Sequence, residues 1–157
     1  MPLAQTFLKS KYTVYDGKSW RVILNADDQS YLGRCIVFLK GRVTDDPLSL
    51  CEAERRELWC DILPRLAAAL KRAFGADRIN YAHQANVVQA VHWHVVPRYE
   101  KMRELHFAGE VFWDSRPGVN YALSEKRILP EATMKHIQAA LIEALDSPTT
   151  RTMGSED

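Results

Sequence analysis

Paired cysteines, a charge bias, a long apolar run and an internal repeat are all missing from this chain, and each absence removes a class of protein. The three cysteines, Cys35, Cys51 and Cys60, are odd in number and show no CxxC spacing. A disulfide scaffold is therefore not expected, and a reducing, cytoplasmic setting fits better. The net charge is only +1, which gives no general attraction to nucleic acid or to an anionic membrane. A polyanionic ligand would have to be held by local geometry. Lys71-Arg72, with Arg65 and Arg78 nearby, reads as a solvated helix face. No window approaches the ~18 apolar residues of a membrane span. The opening Met1-Pro2-Leu3-Ala4-Gln5 also lacks a basic region followed by an apolar one. Neither a nucleic-acid partner nor a membrane partner is expected.

What is present fits an ordinary globular protein. The chain has 157 residues, 46% hydrophobic and 26% charged, enough for one domain with a real core. That domain is expected over residues 1–146, followed by a polar, disordered tail at 147–157. Apolar runs at 20–25 and 34–40 read as strands joined by the polar link 26–33, and further strands are expected at 78–82 and 88–99. Residues 83–86 would form a turn or bulge between the last two. Ser49-Leu50-Cys51-Glu52 matches a capping box opening a helix, along which Leu58, Ile62, Leu66, Leu70 and Phe74 fall at helical spacing before Gly75 stops it. Pro64 interrupts that pattern at a cost of roughly 3 kcal/mol if nothing compensates, so one kinked helix is expected. A last helix over 130–145 presents Met134, Ile137, Leu141 and Leu145 on one face. Residues 101–129 show no readable periodicity.

The chemistry concentrates in Ala90-Val91-His92-Trp93-His94-Val95-Val96-Pro97-Arg98. A strand here puts Ala90, His92 and His94 on one face, with Val91, Trp93 and Val95 turned into the core. A neutral imidazole is a good nucleophile near pH 7. Attack on phosphorus would give a phosphoramidate that water then hydrolyses. A second imidazole roughly 7 Å along the strand can protonate the departing group. His-x-His is also a frequent metal-ligand pattern, but His83, His106, His136 and the cysteines add no local motif for further ligands. His106 and His136 read as surface or packing residues, Trp93 as core, and Trp113 as packing or interface.

The segment resembles the signature of the histidine triad superfamily, in which three histidines alternate with apolar residues, often followed by Pro-Arg. His94 matches the third histidine, His92 the central one that is the family's nucleophile, and Ala90 stands where the first is usual. The resemblance covers most of residues 15–100. Asn25, with Gly33 and the strand ending at Lys40, resembles the family's Asn…Pro-Gly segment, Leu32 replacing the Pro. Asn86-Val87-Val88-Gln89 resembles the loop that approaches the phosphates.

The resemblance implies an α+β fold, an antiparallel sheet of about five strands with a long helix and a C-terminal helix, and a homodimer. It implies hydrolysis or transfer at the α-phosphate of a dinucleoside polyphosphate or an adenylylated small molecule. His92 would attack, the Ala90 carbonyl would orient it, and His94 would protonate the leaving group. Asn25, Asn86 and Gln89 would hold ribose and phosphates. No cofactor or protein-bound metal is required, although Mg²⁺ can accompany a polyphosphate. The missing first histidine belongs to a supporting hydrogen-bond network, for which Gln89 or His83 could partly substitute. Two other readings stay open: a nucleotide-binding regulatory protein with little turnover, and a metal-binding module.

Overall fold

The computed structural model describes residues 2–120 and 126–148. Its centre is an antiparallel sheet whose five strands are β1 (Thr13–Asp16), β2 (Trp20–Leu24), β3 (Cys35–Leu39), β4 (Arg78–Ala82) and β5 (His92–Arg98), in the spatial order β1-β2-β3-β5-β4. Four of these strands are the apolar runs read from the sequence. The fifth, β1, is a short segment of mixed polarity whose register against β2 shifts between Thr13 and Tyr15, and no periodicity announces it.

Alternation along the strands divides the sheet into two faces. Trp20, Val22, Leu24, Cys35, Val37, Val91 and Val95 enter the main core beneath the helices. Ile23, Ile36 and Phe38 form a second cluster on the opposite face. That face is covered by Phe7 from a short helix, α1 (Pro2–Leu8), which the sequence reading did not anticipate. Burial on both faces explains why β3 is an unbroken apolar run rather than an alternating one. Trp93 is only half-buried, packed at the margin of the main core, because its indole meets Trp59 edge-on at 5.4 Å rather than entering the interior.

The long helix runs from α2 (Glu52–Glu57) through a π segment at Leu58–Ile62 into α3 (Leu63–Phe74). Its expected apolar stripe is buried throughout. Two local details differ from expectation. The N-cap is Cys51, not Ser49, and the Glu54 carboxylate accepts the Cys51 N–H at 2.8 Å. Asp46 and Pro47 instead open a separate 3₁₀ turn, Pro47–Ser49, with the Asp46 carboxylate accepting the Leu48 N–H at 2.8 Å, so the helix starts after it. Pro64 produces no break, because the π segment ahead of it widens the ladder, Leu63 N–H bonding to Leu58 O, and moves the carbonyl that the ring would strike. Gly75 closes α3 in the left-handed conformation, φ 66°. α4 (Glu131–Asp146) lies against α3, with Pro130 just ahead of its first turn. Ser147 caps it through Glu143 O, and the rest of the expected tail, 149–157, lies outside the described residues.

Within the stretch that showed no pattern, β6 (Leu105–Phe107) and β7 (Glu110–Phe112) form a hairpin. Its two-residue turn, Ala108-Gly109, has both φ angles positive, at 49° and 81°, as the twist of a tight hairpin requires. Beyond it, Asp114 anchors the end of β5. Its carboxylate accepts from Arg98 Nε at 2.6 Å and Nη2 at 3.2 Å, with both side chains almost wholly buried. Arg98 also donates to Asn80 Oδ1 and Arg116 O, at 2.8 and 2.7 Å. Removing one member of such a pair strands the other charge. Asp114→Ala is expected to lower unfolding free energy by about 3–5 kcal/mol, read from urea denaturation. A loss below ~1 kcal/mol would show that solvent reaches Arg98.

Candidate active site

Register decides what surrounds the histidines. In β3–β5 pairing, His92 stands opposite Phe38 and His94 opposite Ile36, and on the other side His94 stands opposite Ala82. Directly opposed residues share a face, so both imidazoles project onto the face covered by α1. The two rings meet edge-to-face with centroids 5.1 Å apart. Phe7 packs 5.5 Å from the Phe38 ring and 5.6 Å from the His92 ring.

β5 starts at His92 rather than Val88. Residues 88–91 bend instead, Ala90 N–H bonding Val88 O at 2.8 Å, because β4 has left the ladder on that side. The bend turns the Ala90 carbonyl toward the imidazole, where it accepts from His92 Nδ1 at 2.7 Å. A carbonyl only accepts, so Nδ1 carries the proton and Nε2 keeps the free lone pair. Burial holds His92 below the usual histidine range, with the Ala90 carbonyl opposing and His83 adding to the depression. His94 is pushed down to about 4, first by burial and then by the Arg34 guanidinium and His92, against Asp28. Its Nδ1 is buried without a hydrogen-bond partner. Both rings are therefore neutral at pH 7.

The loop between β2 and β3 is a compact buried unit. Gln29, fully buried, donates through Nε2 to Asn25 O and Arg34 O at 2.9 and 2.7 Å, and accepts Gly33 N–H at 3.0 Å. Gly33 has φ 82°, and a Cβ there would lie 2.6 Å from the Phe74 ring, so only glycine fits. Arg34 and Asp28 form a buried ion pair at 2.5 Å. No local pattern in the sequence sets Arg34 or Phe7 apart. Arg34 looked like the polar first residue of a strand, and only the fold sets its charge beside His94.

Two cavities meet Phe7, which packs on the His92 ring, though neither is lined by His92 or His94 themselves. One, of about 360 Å³, is lined by Phe7, Ile23, Asn25 and Ile36 among others. The other, of about 540 Å³, is lined by Phe7, Phe38, Val43, Val88, Gln89 and Ala90 among others. Asn25 thus reaches one cavity while its Oδ1 also closes the turn by accepting Asp27 N–H at 3.2 Å. Gln89 and Ala90 reach the other. Asn86 is exposed on the loop and lines neither. His83, half-buried, joins the histidine pair, its Nδ1 lying 2.8 Å from His92 O. Among the described residues no group of three or more His, Cys, Asp or Glu is arranged to hold a metal ion. None of the described helices is long and apolar enough to cross a membrane.

The depressed histidines have a measurable consequence. On acidification the unfolded chain, with histidines near 6.5, takes up protons before the folded chain does. Stability is expected to fall as pH drops from about 6.5 toward 4, the window set by His94. Urea midpoints at pH 7 and pH 5 check this. His94→Asn should show a smaller drop than the wild type, and an equal drop would assign the effect to other groups.

No protein-family model matches the chain, and no curated protein matches it. Solved structures do. A histidine triad protein from Sinorhizobium meliloti 1021 aligns at 19% identity over 89% of this chain and 93% of its own, with a TM-score of 0.70. One from Marinobacter aquaeolei VT8 aligns at 18% identity over 90% and 93%, with a TM-score of 0.68. A hypothetical histidine triad nucleotide-binding protein from Sulfolobus tokodaii aligns at 17% identity over 90% and 87%, with a TM-score of 0.65. At these identities the likeness speaks for architecture, and it agrees with the strand order and helix placement described above: this chain has the histidine triad fold.

Proposed function

We propose that this protein is a nucleotide hydrolase or nucleotidyl transferase that works through a nucleotidyl-His92 intermediate. The observation that carries the reading is the His92 imidazole itself, with its Nδ1–H engaged by Ala90 O at 2.7 Å and its Nε2 left as the nucleophile. His92 Nε2 attacks the α-phosphorus, a P–N bond forms, and the bond to the leaving group breaks. His94, beside it, supplies the proton that the leaving group takes. Its low affinity for protons in the empty site rises when an anionic phosphate lies against it, since an opposite charge favours the imidazolium. Water then attacks the phosphorus, giving up a proton to His94. The P–N bond breaks, releasing the nucleoside monophosphate and restoring both rings. Asn25 would contact the ribose from its cavity, and Gln89 and Asn86 the phosphates, Asn86 from an exposed loop that would have to close.

The larger cavity favours one of the two substrate classes. Its lining is mainly apolar, and its two cations are already engaged: Lys40 with Asp16 at 2.5 Å and Arg42 with Glu54 at 2.6 Å. A polyphosphate tail would have to compete with those carboxylates. An adenylylated small molecule with an apolar leaving group would not, and it needs no Mg²⁺. A second reading, a nucleotide-binding regulatory protein with little turnover, is favoured by one residue, Ala90 in place of the first histidine. The chain is cytoplasmic in either reading.

The edges of the sheet support the expectation of a homodimer. The β1 edge is covered by α4, with Gln138 Nε2 donating to Thr13 O at 2.8 Å. β4, with Tyr81 41% exposed and Trp59 of the π segment 50% exposed, presents an aromatic, open edge of the kind that recruits a second strand. Sedimentation equilibrium is expected to give twice the chain mass, and Tyr81→Glu to shift it toward one chain mass.

The catalytic reading is tested with an AMP-amide of an apolar amine beside diadenosine tetraphosphate. Wild-type protein should release AMP faster from the amide. His92→Ala should abolish release while nucleotide affinity stays within about threefold. If wild type is inert and Ala90→His active, the regulatory reading holds.

A further inference from the structure

Successive carbonyls of a strand point to opposite sides. The Val91 carbonyl faces β3, where it accepts Leu39 N–H at 3.3 Å, so the His92 carbonyl faces β4. β4, however, ends at Ala82, which pairs with His94. The chain then turns away through Ala85, whose φ of 51° is left-handed, and no main-chain amide of β4 reaches the His92 carbonyl. The side chain of His83 does, its Nδ1 2.8 Å from His92 O. The carbonyl accepts, so Nδ1–H donates. His83 is held in place between the His92 ring, 6.3 Å away and edge-on, and the Trp93 ring at 5.4 Å.

We propose that His83 is the positioning residue of the nucleophile: its Nδ1–H replaces the amide that β4 fails to supply and fixes the first peptide of β5. The nucleophile's tautomer depends on this peptide. His92 Nδ1 meets the Ala90 carbonyl only two residues up the chain, across a bend secured on the β3 side by Val91 N–H to Thr44 O at 2.6 Å. His83 secures the other side. Because Nδ1 carries the proton whether His83 is neutral or cationic, the bond holds in both states. In this chain, where Ala90 leaves no imidazole at the first triad position, support for the nucleophile comes from the end of β4 instead. This rests on the nucleotidyl-His92 reading.

The test uses three substitutions of His83 in the full chain. Asn places an amide N–H near the Nδ1 position, Gln places one near Nε2, and Leu places none. With the AMP-amide, His83→Leu is expected to lower kcat by ~10–100-fold, the scale of a misplaced reacting group, with KM within about twofold. His83→Asn should recover most of the loss, and His83→Gln little of it. Imidazole ¹⁵N spectra read the same bond without turnover. His92 should be the Nδ1–H tautomer in wild type and His83→Asn, and a mixture in His83→Leu. Wild-type kcat and an unchanged His92 tautomer in His83→Leu would overturn the proposal, as would equal losses in all three variants with the tautomer unchanged. Failure of the underlying reading looks different: His92→Ala would keep turnover, or wild type would have none, while the tautomer result would still decide the role of His83.

Discussion

One hydrogen bond, from His92 Nδ1–H to the main-chain oxygen of Ala90 at 2.7 Å, fixes which nitrogen of the His92 ring stays free. An imidazole that gives up Nδ1–H to a fixed acceptor keeps only Nε2 as a free lone pair, and it cannot rotate without losing that partly buried bond. Much of the architecture bears on that bond. β5 lies between β3 and β4, so its position is set from both edges. Val91 packs in the main core on one face while Phe7 and Phe38 close over the ring on the other. The same enclosure keeps the ring neutral, since burial opposes the charged form.

Charge near the site is arranged in buried pairs rather than as a basic surface. Arg34 is held by Asp28 and Arg98 by Asp114, one pair in the β2–β3 loop and one at the far end of β5. Desolvated pairs of this kind contribute little net stability, yet breaking them is costly, so they act as fixed points in the backbone. They also leave a directed field. Arg34 lowers the proton affinity of His94 while Asp28 raises it. A phosphate bound here would add to the side of Asp28 and favour the protonated form of His94. With a net charge of +1, the chain has no general attraction for polyanions, and any anionic ligand would be met by local groups such as these.

The sequence pattern reveals features with local causes. Continuous apolar runs mark β2 and β3, period-two alternation marks the histidine face, and a 3.6-residue period marks the helix that buries Leu58, Ile62, Leu66, Leu70 and Phe74. The failures share a different origin, in contacts between distant segments or competition between neighbouring signals. β1 exists because β2 offers an edge, and α1 because Ile23, Ile36 and Phe38 need a cover. Ser49 and Cys51 both stand near the helix start, and the Asp46-Pro47 turn decides between them. The hairpin at Ala108-Gly109 has strands of three residues each, too short for any period. In the site, His92 and His94 are legible because they lie on one strand, and Ala90 because it stands in the same short run just ahead of it. His83 and Arg34 come from other segments and become neighbours of the pair only when β4 and β3 dock on β5.

Ala90 then takes on a definite meaning. Orientation of the nucleophile is a main-chain function at this position, and alanine supplies the carbonyl as well as histidine would. Against the triad pattern that the segment resembles, what this position lacks is an imidazole, with its hydrogen-bonding capacity and its volume. His83 holds the peptide that follows His92, and on the proposal above this is where the support lies instead. The volume is not replaced: Ala90 borders the cavity of about 540 Å³ beside Phe38 and Val88. A polar ring at that position would narrow the space and give it a charge that varies with pH. Alanine leaves a wider, apolar pocket next to an intact nucleophile. In the nucleotidyl-His92 reading proposed above, alanine at this position would therefore act on what can leave the phosphorus more than on what attacks it.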